Sequence, residues 1–262
     1  MGAVLAAVAA CVGWDARAMA QDHEEEPRGW LALTLGSRTG HDHAYQLDLD
    51  VRAGPGLVSQ SVETAMPLCE LAALEIEWGM ALTDPSGVSE ERAWALGNPF
   101  VGLQTMLGTF GVSLASGDPL LSQHGDRLLL HRGGEDPWLF MHHHGAFVYD
   151  TAIGAEIGHP IFGRLVVEMR LQLAWMRGAA DGGGGLGYAG TTLDVFYQYG
   201  VARIGMEQHV ASFTDDRSVE SAGGYLGLDL DGLEVRLGVT RSAAPGSEPE
   251  WTGHLGIGGS FE

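Results

Sequence analysis

The stretch that decides the fold is YLGLDLDGLEVRLGV, residues 225–239. Leucine and valine occupy every second position on both sides of Asp231-Gly232, a preferred pair for the two-residue type I′ turn of a β-hairpin. Successive strand residues point to opposite faces, so the aliphatic side chains share one face and the charged ones share the other. Pairing across the turn predicts four opposed pairs: Leu226 with Leu237, Leu228 with Val235, Leu230 with Leu233, and Asp229 with Glu234.

The same alternation recurs along the chain. In residues 165–175 every odd position is apolar, and the even positions include Glu168, Arg170 and Gln172. In residues 45–53 the odd positions are again apolar, and the even ones are Gln46, Asp48, Asp50 and Arg52. A helix would scatter these charges around its circumference, so the pattern predicts strands. The segment 250–261 also alternates and ends near an aromatic residue, similar to the assembly signal of bacterial outer-membrane proteins.

We predict twelve strands, near residues 30–36, 43–53, 70–82, 96–107, 109–116, 139–157, 162–177, 188–200, 202–213, 220–230, 233–241 and 250–261. The predicted short connections are 107–109, 158–161, 200–202 and 231–232, and the longer polar ones are 37–42, 83–95, 117–138, 178–187, 214–219 and 242–249. Short and long connections alternate, as periplasmic turns and external loops do in outer-membrane barrels. The segment 54–69 is predicted as a long connection that interrupts this order.

Composition narrows the class of protein. The chain has 262 residues and is 45% hydrophobic, yet no apolar run approaches the roughly 20 residues that a membrane helix needs. All 14 basic residues are arginine, and the formal net charge is −20. This charge argues against nucleic acid as a partner, because binding to phosphates depends on basic contacts.

The first twenty residues have the features of a secretory signal peptide. An apolar run from Ala3 to Trp14 is followed by Ala18-Met19-Ala20, a small-residue cleavage site before Gln21. Cys11 leaves lipoprotein processing open as an alternative. We therefore predict a signal peptide at 1–20 and a single transmembrane barrel domain at 21–262, in which the one remaining cysteine, Cys69, cannot form an internal disulfide.

Alternation alone fits a soluble barrel as well as a membrane barrel. Two further features favour the membrane. The apolar face is unbroken on most strands, with aromatic residues near strand ends at Trp30, Tyr45, Trp78, Trp175, Tyr199 and Trp251, as in the girdles of outer-membrane barrels. The opposite face mixes acids, arginines and small residues, which suits a wet lumen. The sequence thus predicts an all-β, antiparallel transmembrane β-barrel of about 12 strands in the outer membrane of a Gram-negative cell.

Two short segments carry a resemblance to a known family. Residues 96–103, LGNPFVGL, and 110–117, FGVSLASG, resemble a strand pair in outer-membrane barrels of the phenol meta-pathway transporter type. The resemblance covers about twenty residues closely, and Asn98 stands where that family usually has Asp. It implies a twelve-stranded barrel that transports small hydrophobic compounds, and it implies no catalytic residues.

The charged face supplies the candidate site. We predict that the following residues face the lumen: Asp48, Asp50, Arg52, Glu75, Glu77, Glu168, Arg170, Gln172, Asp194, Gln198, Asp229, Glu234 and Arg236. The paired acids Asp48/Asp50 and Glu75/Glu77 lie two residues apart on one face and could attract cations. A solvated polar face without specificity is the simpler interpretation.

Three other motifs are weaker. Residues 185–190 match the dinucleotide pattern G-x-G-x-x-G, but no strand precedes them and a strand-like segment follows, so an external loop is predicted. His142 and His144 could share a metal, as could His41 and His43, but no cysteine or glutamate stands at ligand spacing. His209 and Ser212 are three residues apart and face opposite sides of a strand, which disfavours a nucleophile–base pair. No cofactor, metal or catalytic residue is predicted.

Three functions stay open at this point. The leading one is a passive channel or transporter for small solutes, with outer-membrane lipid and a small-molecule solute as partners. The second is a plugged barrel with a structural or adhesive role. The third is an outer-membrane enzyme that modifies lipid. The sequence sets no oligomeric state, and about twelve strands can also enclose a lumen filled by side chains.

Overall fold

The structure, a computed structural model, describes residues 30–36, 45–69, 71–83, 93–178 and 184–261. The predicted signal peptide at 1–20, Cys11, the connection 37–42 and the pair His41 and His43 lie outside these residues. None of the helices in this part of the chain is long and apolar enough to cross a membrane.

The described segments form fourteen strands and two helices. The elements are β1 (Trp30–Gly36), β2 (Tyr45–Gly54), β3 (Leu57–Cys69), β4 (Ala72–Thr83), β5 (Ala93–Leu96), β6 (Phe100–Thr105), β7 (Gly108–Leu114), α1 (Pro119–His131), α2 (Pro137–Phe140), β8 (His143–His159), β9 (Gly163–Gly178), β10 (Gly185–Tyr199), β11 (Ala202–Phe213), β12 (Ser218–Leu230), β13 (Leu233–Ala243) and β14 (Glu250–Phe261).

Twelve of these strands close into an antiparallel ring. The order around the ring is β8, β7, β6, β4, β3, β2, β14, β13, β12, β11, β10, β9, and pairing of β9 with β8 completes it. Strand β1 pairs with residues 152–158 of β8, and β5 pairs with residues 80–83 of β4, so both are additions to the ring. The predicted all-β barrel of about 12 strands is confirmed.

The predicted number of strands agrees with the ring although two of the predicted assignments are wrong. One ring strand is missing from the prediction, and one predicted strand is not part of the ring. Residues 54–69, predicted as a long connection, instead contain a tight turn at Pro55-Gly56 and the ring strand β3. The alternation in β3 is blurred because Ser59 and Ser61 are buried while Val58 is exposed, and polar residues occupy both faces. The predicted first strand, 30–36, exists, but among the described residues it pairs with β8 alone.

The hairpin at 225–239 forms in the predicted register. The four predicted pairs are all present, including Leu230 opposite Leu233 and Asp229 opposite Glu234. Asp231 and Gly232 have φ values of 48° and 92°, the left-handed conformation that a type I′ turn requires at both positions. Turn chemistry and side-chain pattern therefore determine the same register.

The apolar face of the sheet points outward. Forty-two large hydrophobic side chains are exposed in the described part of the chain, among them Leu226, Leu228 and Leu237 of the hairpin. Leu165, Met169 and Trp175 on β9 are exposed as well. An apolar surface this extensive is incompatible with a soluble monomer and is expected of a barrel in lipid.

One connection folds into the barrel instead of projecting from it. We call residues 115–142, which contain α1 and α2, the plug segment. Helix α1 is capped by Asp118, whose Oδ1 accepts from the Leu120 backbone N–H at 2.9 Å. The prediction of a polar external loop at 117–138 is wrong, as is the prediction that residues 139–142 belong to a strand, because the apolar side chains of this segment are buried inside the ring.

The plug segment supplies an apolar core at one end of the lumen. Its buried side chains Leu121, Leu128, Trp138, Leu139 and Phe140 belong to one cluster with inward side chains of the wall. The strands contribute these side chains to the same cluster: Leu57, Ala81, Ala95, Phe100, Ala146, Val148, Ala174, Met176, Tyr188, Ala211, Phe213 and Val219. The opposite end of the barrel carries the short turns 106–107, 160–162, 200–201 and 231–232, and is called the turn end below.

Candidate functional site in the barrel lumen

Between the plug segment and the turn end lies a polar cavity of about 500 Å³. Arg132, Glu135 and Asp136 of the plug segment form its boundary on one side. Gly232 in the β12–β13 turn and Ser260 near the end of β14 line its other side, so the cavity reaches the turn end. This volume falls within the range of small-molecule sites in proteins.

Acids outnumber arginines in the lining of this cavity. Its thirteen carboxylates are those of Asp48, Asp50, Glu63, Glu75, Glu77, Glu135, Asp136, Asp150, Glu168, Asp194, Glu207, Asp229 and Glu234. Its five arginines are Arg52, Arg132, Arg170, Arg203 and Arg236. Charges of one sign in a cleft with low-dielectric walls raise the local concentration of counter-ions, here of cations.

Eleven of the thirteen residues predicted from the sequence line the cavity: Asp48, Asp50, Arg52, Glu75, Glu77, Glu168, Arg170, Asp194, Asp229, Glu234 and Arg236. Gln172 and Gln198 are buried but lie outside the lining. Gln172 donates to Asp136 Oδ1 at 2.7 Å, and the Gln198 side-chain oxygen accepts from Arg164 Nη2 at 2.7 Å. Both glutamines therefore position charged neighbours.

A layer of ion pairs joins the plug segment to the wall. Arg52 of β2 donates to Glu135 Oε2 at 2.7 Å, to the Arg132 backbone carbonyl at 2.6 Å and to Asp50 at 3.0 Å. Arg132 in turn reaches Asp50 at 3.1 Å. On the other side of the lumen, Arg170 donates from Nε to Asp150 at 2.6 Å and lies 3.8 Å from Asp136. We call these seven residues the ionic layer.

Electrostatics at the plug side of this layer favour charged Glu135. Burial opposes ionisation of the carboxyl group, but Arg52, His209 and Arg132 outweigh it and hold the pKa of Glu135 well below its ordinary value. Burial also lowers the pKa of His131, whose Nδ1 lies 2.9 Å from a carboxylate oxygen of Glu250. The contact between Glu135 and Arg52 is therefore a fully charged pair at neutral pH.

Asn98, which stands within the family-like segment 96–103, fastens both ends of the plug segment. Its side-chain nitrogen donates to the Trp138 carbonyl at 2.9 Å and the Met141 carbonyl at 2.7 Å, and its oxygen accepts from the Ser116 N–H at 2.9 Å. Asn98 is 1% exposed, so these bonds satisfy an otherwise buried amide. An aspartate here could not donate to the two carbonyls.

Replacing Gly79 by alanine is expected to disturb the packing of the plug segment against the barrel wall. A Cβ atom at this position would lie 2.5 Å from the tip of the buried Phe140 ring. Overpacking of this kind typically costs about 1–3 kcal/mol, so the temperature at which the folded gel band converts to the unfolded one should fall. Gly253→Ala, where the nearest atoms are 3.9 Å away, is the control and should not shift it. Equal behaviour of the two variants would contradict this packing.

Several residues of the lumen were missed by sequence reasoning. Glu63 lies on β3, which was predicted as a connection, and Glu135 and Asp136 lie in a segment predicted to be external. Asp150 and Glu207 follow the strand alternation but were not singled out. Only the alternation of acids with apolar residues in β8 and β11 could have identified the last two.

The weaker motifs find other roles. Residues 185–190 lie within β10, so the predicted external loop is wrong there. His143 is buried and its Nδ1 lies 2.8 Å from the Met141 carbonyl, while His142 and His144 are exposed. Buried His209 contacts Thr192 Oγ1 at 2.8 Å, and Ser212 is exposed on the other face of β11. The residues that the structure describes contain no group of three or more His, Cys, Asp or Glu side chains arranged to hold a metal.

Solved outer-membrane structures align with most of the chain. An outer-membrane channel from Pseudomonas putida F1 is 11% identical, with a TM-score of 0.50 over 84% of this chain and 96% of that chain. The NanC porin is 8% identical, with a TM-score of 0.44 over 84% of this chain and 100% of that chain. The KdgM porin is 10% identical, with a TM-score of 0.41 over 83% and 99%.

No protein-family model matches the chain, and no curated protein matches it. At these identities the likeness to solved structures shows the fold alone, so the transporter type implied by the resemblance stays a prediction. The closed ring, its apolar outer surface and the architecture that it shares with the Pseudomonas channel identify the chain as a twelve-stranded β-barrel of the cell outer membrane.

Proposed function

We propose that the chain forms a passive channel for small polar solutes and that it favours cations over anions. The observation that carries this proposal is the cavity of about 500 Å³, enclosed by the ring and lined by eight more acids than arginines. A lining of this sign attracts cations and repels anions. It gives less support to the hydrophobic solutes that the family resemblance implies.

The eleven predicted residues that line the cavity are proposed to contact the solute, and the exposed aliphatic side chains are proposed to contact outer-membrane lipid. Cation preference can be tested with the purified, folded protein in a planar bilayer under a KCl gradient. We expect discrete conductance steps and a reversal potential of the sign that K⁺ permeation requires. A reversal potential of the opposite sign would contradict the proposed preference.

A second candidate is a closed barrel with a structural role. The plug segment favours it, because the buried core and the ionic layer fill the end of the lumen opposite the turns. Single-channel recording distinguishes the closed barrel from the channel. A closed barrel gives no steps in the wild type, whereas a variant with residues 118–141 replaced by a short Gly-Ser linker gives large ones. A channel gives steps in both.

A further inference from the structure

Two rows of carboxylates run across the inner wall. Cross-strand pairing places Glu63 of β3 directly opposite Asp48 of β2 and Glu77 of β4. We call these three residues the first carboxylate row. Their side chains all line the cavity. Like charges directly opposite one another destabilise a sheet, so such a row requires compensation.

The second carboxylate row repeats this pattern on the other side of the barrel. Asp194 of β10 pairs with both Glu168 of β9 and Glu207 of β11. In the ring of twelve, β10 is six strands away from β3 in either direction, so the two rows face each other across the lumen. The geometry thus supplies two matched sets of three acids within one cavity.

The second row has its compensation within the protein. Asp194 accepts from the Tyr225 hydroxyl at 2.9 Å and lies 3.8 Å from Arg236. Arg170 lines the small space of about 10 Å³ that Glu168, Asp194 and Glu207 share. Hydrogen bonds and arginines therefore offset the charge of this row.

The first row ends in a carboxylate without such a partner. Glu77 is only 7% exposed, and it lines the cavity. Within the described part of the chain, no hydrogen bond and no ion pair within 4 Å joins Glu77 to another residue, and the positive charge of Arg132 acts on it only from a longer distance. A buried carboxyl group keeps its negative charge only when a partner offsets the cost of burial, and here the cavity is the open side from which a cationic partner can come.

We propose that the first carboxylate row binds an elongated organic dication of the aliphatic diamine class. The inference rests on the proposed channel in one respect, that this ligand is its solute. Neighbouring strands lie about 4.8 Å apart, so three carboxylates on successive strands spread over roughly 10 Å. A row of this length matches a chain with a cationic nitrogen at each end better than it matches a single metal ion. The ammonium groups supply the charge-assisted donors that Glu77 lacks.

The test measures binding of 1,4-diaminobutane to the folded protein in detergent by isothermal titration calorimetry, with 1,4-butanediol as the uncharged probe. We expect the wild type to bind the diamine and to give no heat with the diol. Glu77→Gln should weaken the diamine by about tenfold, the effect of losing one charge-assisted bond. Asp194→Asn, in the compensated row, should weaken it by about twofold at most.

Glu156→Gln is a further control, because Glu156 is paired with Arg164 at 3.0 Å and lies outside the lining of the cavity. Its affinity for the diamine should equal that of the wild type. Heat-modifiable gel mobility verifies folding of each variant, and Glu63→Gln replaces Glu77→Gln if the latter misfolds. Absence of binding to the wild type, or equal losses in Glu77→Gln and Asp194→Asn, would overturn the inference.

Failure of this inference and failure of the channel are separable. Conductance steps with cation preference but no heat of binding would support the proposed channel and contradict the proposed diamine site. Diamine binding that depends on Glu77, in a protein that gives no conductance steps, would support the diamine site and contradict the proposed channel.

Discussion

Replacing Arg52 by methionine is expected to release the plug segment from the barrel. The side chain of Arg52 is 9% exposed and binds Glu135, Asp50 and the carbonyl of Arg132. Removing one partner of a buried ion pair leaves the other charge uncompensated and typically costs about 3–5 kcal/mol. Because Glu135 belongs to the plug segment, this loss falls on the contact between the plug segment and the wall.

Two measurements can detect release of the plug segment. Trypsin should cut the folded variant after Arg127, an exposed residue of α1, faster than it cuts the wild type. Single-channel conductance in a planar bilayer should rise, because the plug end of the lumen opens. Arg52→Met combined with Glu135→Gln should recover most of the protease resistance, since no buried charge is left alone. Unchanged resistance and conductance in the single variant would show that the ionic layer does not hold the plug segment.

Leu171→Arg is expected to destabilise the barrel in lipid by about 2–4 kcal/mol, the cost of an arginine at the midplane of a bilayer. Leu171 lies near the middle of β9 and is exposed on its outer face. Denaturant unfolding of the protein in lipid vesicles measures this cost. A soluble barrel would tolerate the same change at an exposed position with little effect.

Tyr199→Arg is the matched control for this substitution. Tyr199 is the last residue of β10, is exposed, and lies beside a turn. Near the membrane interface the cost of arginine falls to about 0–1 kcal/mol. Equal destabilisation by the two substitutions would contradict the depth that the sheet assigns to Leu171.

The barrel wall could be predicted from the sequence because strand period and turn chemistry are local. The register of the β12–β13 hairpin follows from Asp231-Gly232 and the leucines on either side, and the structure confirms each predicted pair. Strand β3 escaped because Ser59, Ser61 and Glu63 face inward while Gln60 and Thr64 share the outer face with Val58. Polar residues on both faces remove the contrast between an apolar and a polar face that identifies a strand in the sequence.

The plug segment could not be predicted by the same reasoning. Asp118-Pro119 and the leucines at 120, 121, 128 and 129 carry a local helix signal, but nothing local says that this helix folds inward. The inward position depends on small wall residues: Gly79 leaves room for the tip of the Phe140 ring, and Ala81 and Ala146 belong to the same buried cluster. That fit is a property of strands distant in sequence. The carboxylate rows likewise require the register of three strands at once.

The seam between β14 and β2 has a consequence for how the protein forms. Phe261 pairs with Tyr45 there, so the ring closes through its most distant partners along the chain. Until β14 and β2 pair, the backbone N–H and C=O groups along their open edges would face hydrocarbon without hydrogen bonds. Each unsatisfied group costs several kcal/mol there. Half-finished sheets are therefore penalised heavily inside a bilayer. Insertion and closure should proceed as one concerted event, with open intermediates too scarce to accumulate.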